Sequence, residues 1–541
     1  MQLVAYGAQD IYLTGNAQIT FFKVVYRRHT NFSMEPIPQT FNGASEFGRT
    51  VTCAINRNGD LITKMYVNVN LKAVTGILPG QDFGYVRRLG FAIIQRYRID
   101  IGGAKIDEQY GDWLNIWYEL THKTGQERGF SRMIGDVPEL TTINAVNKPQ
   151  YQLYIPLQFW FNRNNGLALP LIALQYHELR VSIDFRPAAQ CVNTLSHMPQ
   201  IAMNDAQLII DYIYLDSEER KRFAQASHEY LIEQLQFTGS EALGSLNNKY
   251  RLNFNHPCKF LVWAPKLDKY ASPKKYISYA TNDDWEAARE RYAKVMWLAT
   301  RSGLNGSTGS YVINSTISGN LGEIVQPGSE TWVSSNIDSK VTAQAIFAND
   351  ISGNIPNMPA SIDNVVILSN NFSIADMSLT ADDAISAFGN ASSIASRFIA
   401  DNSYTIINTF NYGNNIDGTN NPVVAAKLQL NGSDRFQERD GAYFNYVQPY
   451  QHFSNTPADG INVYSFALKP EEHQPSGTCN FSRIDNATLQ IRLGYNNQDG
   501  DSKYLNNTLG GTSNSSLLYI YTVNYNVLRI MSGMGGMAYS N

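Results

Sequence analysis

The sequence is poor in charged residues and in histidine. Only 17% of its 541 residues are Asp, Glu, Lys or Arg, and 43 basic residues against 47 acidic ones leave a net charge of −4. A chain so close to neutral gains little from counterion release, which excludes nucleic-acid binding driven by bulk charge. The 8 histidines are scattered through the chain. His177 and His228 each precede a glutamate but lack a second histidine at metal-ligand spacing, so we assign them structural roles.

Cysteines and long apolar runs are also scarce. The four cysteines, Cys53, Cys191, Cys258 and Cys479, are far apart and form no Cys-x-x-Cys motif. This spacing predicts neither a zinc knuckle nor a dense disulfide framework. The N-terminal residues lack the pattern of a secretory signal, and no apolar run approaches the ~18–20 residues that a membrane helix needs. We therefore expect a soluble chain made in a reducing compartment.

Motifs of enzymes are missing. The sequence has no GxxxxGK[ST] phosphate loop, no HExxH and no GxSxG. The acidic pairs 283–284 and 382–383 are more typical of solvated helix starts or turns than of catalytic carboxylates. The glycine-rich residues 533–537 have no helix after them, which predicts a flexible terminal segment and not a phosphate loop. We predict no catalytic, cofactor-binding or metal-binding residues.

The abundant residues favour strands and turns. Asparagine occurs 52 times and aromatic residues make up 12% of the chain. Asn favours turns, whereas aromatic and β-branched residues favour strands. We predict an all-β protein, whose length fits either three or four ordinary domains or two large β-sandwiches. Strand patterns lie at residues 64–71, 97–101, 179–185 and 208–215. Fewer segments have helical patterns, namely residues 111–120, 218–226 with a cap at Asp216 or Ser217, and 285–301.

Three pairs of similar segments occur in the same order in the two halves of the chain. Residues 108–115 and 438–445 share Glu-x-x-Gly-x-aromatic-x-Asn after a Gly turn. In the second pair, residues 154–159, Gly166 and residues 179–183 match residues 464–469, Gly477 and residues 489–493, respectively. In the third pair, residues 43–48 match residues 239–244. Three ordered pairs predict two copies of one β-fold in tandem.

The two copies are expected to differ by one long insertion. We place the first at residues 26–216, a helical linker at 217–228 and the second at 229–541. In the second copy about 160 residues separate the strands at 260–263 and 427–430, much more than in the first copy, and the insertion at about 265–425 is rich in Asn, Ser, Thr, Gly and Ala. A segment of this length is rarely structureless in a compact domain, so we expect an elaborated, solvent-exposed protrusion.

Several long blocks resemble the major capsid proteins of nucleocytoplasmic large DNA viruses, of the phycodnavirus and giant-virus type. The first reads LVAYGAQDIYLTGN at residues 3–16 and is followed by QITFFKVVYRRHTNF at 18–32. Further blocks lie at residues 57–62, 166–178, 228–239, 474–488 and 524–536. The resemblance spans nearly the whole chain except about residues 265–425.

The resemblance implies a double jelly roll, that is, two tandem eight-stranded antiparallel β-sandwiches, with the long insertion in the second. It further implies a structural protein without enzymatic activity, cofactor or direct contact with the genome. Homotrimeric capsomers of near-hexagonal outline would pack against neighbouring capsomers in the icosahedral shell of a virion assembled in the host cytoplasm. Residues 1–25 would form an arm at the capsomer base, directed towards minor capsid proteins. An internal viral membrane would lie nearby, but the chain would not insert into it.

A carbohydrate-binding protein or a glycoside hydrolase is the alternative, because jelly rolls also serve those functions. Aromatic residues and Asn-rich loops favour it, whereas the lack of a convincing carboxylate pair or Ca²⁺ loop disfavours it. Asn-x-Ser/Thr sequons are frequent, and those in the insertion are possible glycosylation positions: Asn305, Asn314, Asn371 and Asn390.

Overall fold

The computed structural model describes residues 7–16, 28–267, 421–494 and 516–539, together with residues 22, 24, 26, 276, 279 and 280. Positions 79–80, 82, 124, 142–145, 195–197 and 244 are excepted. The predicted helix at 285–301, the acidic pairs 283–284 and 382–383, and the four sequons at Asn305, Asn314, Asn371 and Asn390 lie outside the described residues, as does nearly all of the predicted insertion. The expectation for that insertion stays a prediction.

The first half of the chain forms a jelly roll, here called the first roll. Its strands are β1 Phe32–Thr40, β2 Thr50–Ala54, β3 Leu61–Leu71, β4 Phe83–Tyr85, β5 Ile94–Ile101, β6 Ala104–Tyr110, β7 Tyr151–Pro156, β8 Leu169–Pro170, β9 Leu179–Phe185, β10 Val192–Thr194 and β11 Met203–Leu215. One sheet has the order β1-β11-β3-β7, with β8 also on β3, and the other has the order β2-β9-β5-β6. Two facing four-stranded antiparallel sheets with these long crossovers are a jelly roll.

The second half repeats this topology as the second roll. Its strands are β12 His228–Ala242, β13 Asn247–Arg251, β14 Pro257–Lys266, β15 Val423–Leu430, β16 Ser433–Asp434, β17 Arg439–Asp440, β18 Asn462–Ser465, β19 Cys479–Asn480, β20 Ala487–Leu493, β21 Leu517–Met531 and β22 Met534–Met537. The sheet orders are β12-β21-β14-β18, with β19 on β14 and β22 on β21, and β13-β20-β15-β16, with β17 on β15. The strand order therefore matches that of the first roll, and the fold is a double jelly roll, as predicted.

Side-chain alternation explains why the strands stack as two sheets in each roll. In β3 the residues Met65, Val67 and Val69 are buried, whereas the residues between them are partly exposed. Val67 joins a core with Val181 of the opposite sheet. In the second roll Leu261 of β14 and Leu489 of β20 pack together in the corresponding core. An apolar inner face on each sheet is what drives two sheets together.

Helices are short and lie mostly in the connections. They are α1 Ile11–Thr14, α2 Leu89–Ile93, α3 Gly111–Thr121, α4 Glu127–Met133, α5 Pro138–Thr141, α6 Trp160–Arg163, α7 Ser217–Gln225 and α8 Gln448–His452, with a π-helix at Tyr443–Val447 directly before α8. Helix α7 connects β11 to β12, and the Asp216 carboxylate caps it by accepting hydrogen bonds from the backbone N–H groups of Glu218 and Glu219 at 3.2 and 2.9 Å.

The local sequence patterns are confirmed where the structure describes them. All four predicted strands lie within β3, β5, β9 and β11, and two predicted helices coincide with α3 and α7. The prediction of a flexible segment at 533–537 is wrong, because Met534–Met537 forms β22 and pairs with β21. Its glycines permit this close packing: a Cβ on Gly533 would lie 2.5 Å from the Tyr176 ring of the first roll.

Candidate assembly interface

Helix α3 belongs to the first roll but packs on the outer face of the second. The ring centroids of Trp113 and Trp117 lie 6.3 and 6.4 Å from that of Phe260 on β14, and Trp113 lies 5.3 Å from Tyr521 on β21. Residues of both rolls thus share one buried apolar cluster. We call the contact between the rolls the seam; its main elements are α3, α6 and β6 of the first roll and β12, β14, β21 and β22 of the second.

The second roll also satisfies the last turn of α3. Backbone carbonyl groups at a helix C-terminus lack partners within the helix. Here the Asn455 side-chain amide donates to the Glu119 carbonyl at 2.9 Å, and the Asn455 backbone N–H donates to the Leu120 carbonyl at 3.1 Å. The seam is therefore fixed by directional contacts as well as by apolar burial.

A buried charge cluster crosses the seam. Glu233 on β12 forms ion pairs with Arg163 of the first roll at 2.8 Å and with Lys259 of the second at 2.9 Å. The His473 ring lies 3.4 Å from the same carboxylate. Burial alone would raise the pKa of Glu233, but the Arg163 charge, the His473 hydrogen bond and Lys259 outweigh it and lower the pKa to about 2. The carboxylate is thus ionised and paired at neutral pH.

The C-terminal hairpin of β21 and β22 extends the seam. The Tyr176 backbone N–H donates to the Gly533 carbonyl at 2.9 Å, and the Gly535 backbone N–H lies 3.1 Å from Nδ1 of His177. A Cβ on Gly535 would lie 2.7 Å from Leu174 of the first roll. His177, assigned a structural role from the sequence, thus holds the hairpin. The ring Nε2–H of His228, which was also assigned a structural role, donates to the Phe223 carbonyl oxygen at 2.8 Å.

The repeated Glu-x-x-Gly-x-aromatic-x-Asn motif occupies equivalent places in the two rolls. A Cβ on Gly111 would lie 2.1 Å from the carbonyl oxygen of Ile94, and one on Gly441 would lie 1.7 Å from that of Val423. Ile94 and Val423 begin the equivalent strands β5 and β15. Each glycine therefore lets a helical segment leave its sheet at the same point.

The equivalent helical segments differ in what covers them. Counting from the shared glycine, Trp117 and Leu120 of α3 correspond to Val447 and Tyr450 of the second roll. Trp117 and Leu120 are 7% and 0% exposed at the seam, whereas Val447 and Tyr450 are 39% and 83% exposed. We call residues 443–452 the second-roll helical segment. Phe444 and Pro449 of this segment are buried, whereas the described residues of the chain leave Val447 and Tyr450 exposed.

The outer face of the first roll's β1-β11-β3-β7 sheet is only partly covered by the described residues, with Phe223 of α7 packing at one end near Ile213. In the second roll, α3 covers the equivalent face at β14 and β21. On the first roll this face carries the partly exposed Tyr66, Tyr154 and Ile209 among polar residues such as Asn68, which accepts a hydrogen bond from Gln152 at 3.1 Å. Tyrosine and amide side chains are typical of interfaces that form between already folded subunits.

The N-terminal residues present another uncovered apolar surface. Ile11, Tyr12 and Leu13 of α1 are all exposed, and so is Phe22 further along the arm. No residue of α1 is buried. The three exposed apolar side chains of α1 are suited to contact something outside the described residues of this chain.

Sequence reasoning missed Val447 and Tyr450, although the repeat itself contained the signal. When the two copies of the motif are aligned in sequence, Val447 and Tyr450 correspond to Trp117 and Leu120, which are buried residues of α3. Among the described residues, no group of three or more His, Cys, Asp or Glu could hold a metal ion. In the same parts of the chain, no helix is both long and apolar enough to span a membrane.

Comparisons with known proteins agree with this architecture. The family described as large eukaryotic DNA virus major capsid protein matches residues 219–536, and the family described as major capsid protein N-terminus matches residues 20–216. The whole chain is 43% identical to the major capsid protein of Phaeocystis pouchetii virus and 42% identical to capsid protein 1 of Acanthamoeba polyphaga mimivirus, and it covers 99% of each.

A solved structure extends the likeness to three dimensions. The chain of the PBCV-1 virus capsid superposes with a TM-score of 0.60 at 33% sequence identity, and the match covers 96% of this chain and 100% of that one. Because both halves match and the two-roll architecture is shared, the chain belongs to the major capsid proteins of large eukaryotic DNA viruses.

Proposed function

We propose that three copies of this capsid protein close into a ring in which six rolls approximate a hexagon, and that these blocks tile an icosahedral shell. One observation carries the proposal. The apolar face of α3 is covered by the second roll, whereas the equivalent residues Val447 and Tyr450 are left exposed by the described part of the chain. A second copy of the chain could cover Val447 and Tyr450 with the outer face of its first roll, in the same way as the second roll covers α3 within one chain.

The contact between copies would repeat the geometry of the seam. The second-roll helical segment of one copy would dock on the outer face of the β1-β11-β3-β7 sheet of the next, around Tyr66, Tyr154 and Ile209. Two different surfaces meet in such a contact, and a heterologous contact closes into a ring when its rotation allows. The receiving face is more polar than its equivalent on β14, which suits copies that fold first and associate afterwards.

The exposed tyrosines suit this role physically. Tyr450 is 83% exposed in the single chain. A tyrosine buries a large apolar ring while its hydroxyl group keeps a hydrogen-bond partner at the rim of an interface. Stable subunit interfaces of this kind bury roughly 2,000–5,000 Å². We infer that the protein works through such buried area and not by catalysis.

Residues 1–25 would contact other components beneath the shell. The exposed Ile11, Tyr12 and Leu13 support this assignment. The partners would be minor capsid proteins, with the internal viral membrane nearby but not entered by this chain. Assembly would take place in the host cytoplasm, which agrees with the free thiols of the four cysteines.

Deleting residues 1–25 tests this role of the arm. We expect the truncated protein to remain folded and trimeric, because the described residues of α1 are not buried against either roll. Shell assembly should fail or slow markedly, as measured by the yield of particles in electron micrographs. Normal particle yield from the truncated protein would contradict the assignment.

Mass and shape together test the proposed function. Light scattering of the purified full-length chain should give about 180 kDa, three times the chain mass of 60.6 kDa. Negative-stain images should show near-hexagonal blocks. A monomer that binds glycans would instead favour the carbohydrate-binding alternative.

A further inference from the structure

Two of the four cysteines face each other across neighbouring strands. Cys258 on β14 lies directly opposite Cys479 on the antiparallel strand β19. Both side chains pack against the core of the second roll, so they lie on the same face of the sheet. Directly opposed residues of antiparallel strands have Cα atoms about 4.5–5.5 Å apart, which falls within the span of about 4.4–6.8 Å that a disulfide bond accepts.

The two thiols differ in access to solvent. Cys258 is fully buried, and its Sγ donates weakly to the His256 carbonyl oxygen at 3.5 Å. Cys479 is partly exposed. Burial raises the pKa of Cys258 to about 12 and also raises the pKa of Cys479. Both groups are therefore protonated at neutral pH and react slowly, which keeps them reduced during synthesis in a reducing compartment.

We propose that Cys258 and Cys479 are an oxidative modification site, which forms an intramolecular cross-strand disulfide once the folded protein meets a small-molecule disulfide. Cys479 loses its proton to solvent and attacks one sulfur of the small disulfide, which releases one small thiol. Cys258 then loses its proton and attacks Cys479 in the mixed disulfide, which releases the second. The two protein thiols are oxidised and one small disulfide is reduced to two thiols.

The cross-link would fasten a long part of the second roll. It joins residues 258 and 479 and so closes a loop of roughly 220 residues. Constraining a loop this long removes much of the conformational freedom of the unfolded chain. Lys259, the neighbour of Cys258, pairs with Glu233 at the seam, so the cross-link would also hold one end of that charge cluster in place.

Peptide mapping tests the proposal directly. The full-length protein is incubated with oxidised glutathione, quenched with acid, alkylated, digested and analysed by mass spectrometry. We expect a peptide pair linked through Cys258 and Cys479, and a midpoint of thermal unfolding higher by roughly 5 °C than in the reduced protein. Full alkylation of both cysteines, or glutathione retained on Cys479 without the linked pair, would overturn the proposal.

Variants distinguish the cross-link from general oxidation. In C479A and in C479S both the linked peptide and the thermal shift should vanish. Cys53 lies opposite Val181 on β9, so C53A is the matched control and should keep both. A thermal shift that persists in C479A would show that oxidation stabilises the protein elsewhere and would contradict the assignment.

Discussion

Glu233 is the residue on which the charge balance of the seam depends. Its carboxylate pairs with Arg163 from one roll and with Lys259 from the other, in surroundings where all three side chains are mostly buried. A buried charge is tolerated only when it is paired, because transfer from water is costly. Glu233 therefore contributes more by neutralising two cations than through any single hydrogen bond.

Replacing Glu233 by Gln should destabilise the protein strongly. The variant E233Q removes the carboxylate that pairs directly with both Arg163 and Lys259, and we expect a loss of about 3–5 kcal/mol in the free energy of unfolding. Glu229 lies on the same strand and forms an exposed ion pair with Arg529 at 2.8 Å. The control E229Q should therefore cost no more than about 1 kcal/mol, and equal losses from E233Q and E229Q in denaturant unfolding would contradict the account.

The lowered pKa of Glu233 also predicts how the stability of the seam depends on acidity. A carboxyl group whose pKa falls from 4.5 to about 2 on folding stabilises the native state fully above pH 4.5. This stabilisation is lost as the pH falls from 4.5 towards 2. The difference in unfolding free energy between wild type and E233Q should therefore shrink as the pH falls from 4.5 towards 2. A difference that stays unchanged down to pH 2 would show that the carboxylate is not responsible.

At the scale of elements, the two rolls use one glycine position to start a helical segment against the sheet. Gly111 and Gly441 each approach a backbone carbonyl group that cannot move without breaking its strand. The sequence repeat therefore has a steric cause, since any side chain at this point would push the helical segment away from its sheet.

Alanine at either glycine should be disruptive. We expect G111A and G441A each to lose at least about 1–3 kcal/mol of stability, because the added Cβ meets backbone and not a flexible side chain. Gly536 has open space around it, so G536A should change the free energy of unfolding by less than about 0.5 kcal/mol. Thermal unfolding of the three variants measures this, and a harmless G441A would mean that the two positions are not equivalent.

Much of the fold could be predicted because its signals are local or repeated. Apolar alternation marked β3 and β9, and the shared motif marked the places where α3 and the second-roll helical segment begin. The seam could not be predicted, because Arg163 and Glu233 are distant in sequence and lie in different rolls. The residues around each of them carry no pattern that indicates the other as its partner. The role of Gly533 and Gly535 was missed for the same reason. A glycine in the sequence can indicate a close approach to another part of the chain, but it does not show which residue makes that approach.

At the scale of the whole molecule, the two rolls of one chain form only one of the two equivalent contacts between a helical segment and an outer sheet face. The second roll's outer face is covered by α3, whereas the described residues leave Val447 and Tyr450 exposed and cover the first roll's outer face only in part. One chain therefore carries both halves of a further contact that it cannot make with itself. In the proposed ring of three copies, Val447 and Tyr450 of each copy would be covered by the next, and the two-roll chain would serve as one third of a six-sided block.

The most direct test of this central claim is the mass of Y450D measured by light scattering beside the wild type. Aspartate at Tyr450 places a charge in the centre of the proposed contact, so we predict about 60 kDa for the variant and about 180 kDa for the wild type, from a chain mass of 60.6 kDa. The control Y539D changes an exposed tyrosine outside the second-roll helical segment and should stay at about 180 kDa. A Y450D protein that remains fully trimeric would contradict the account.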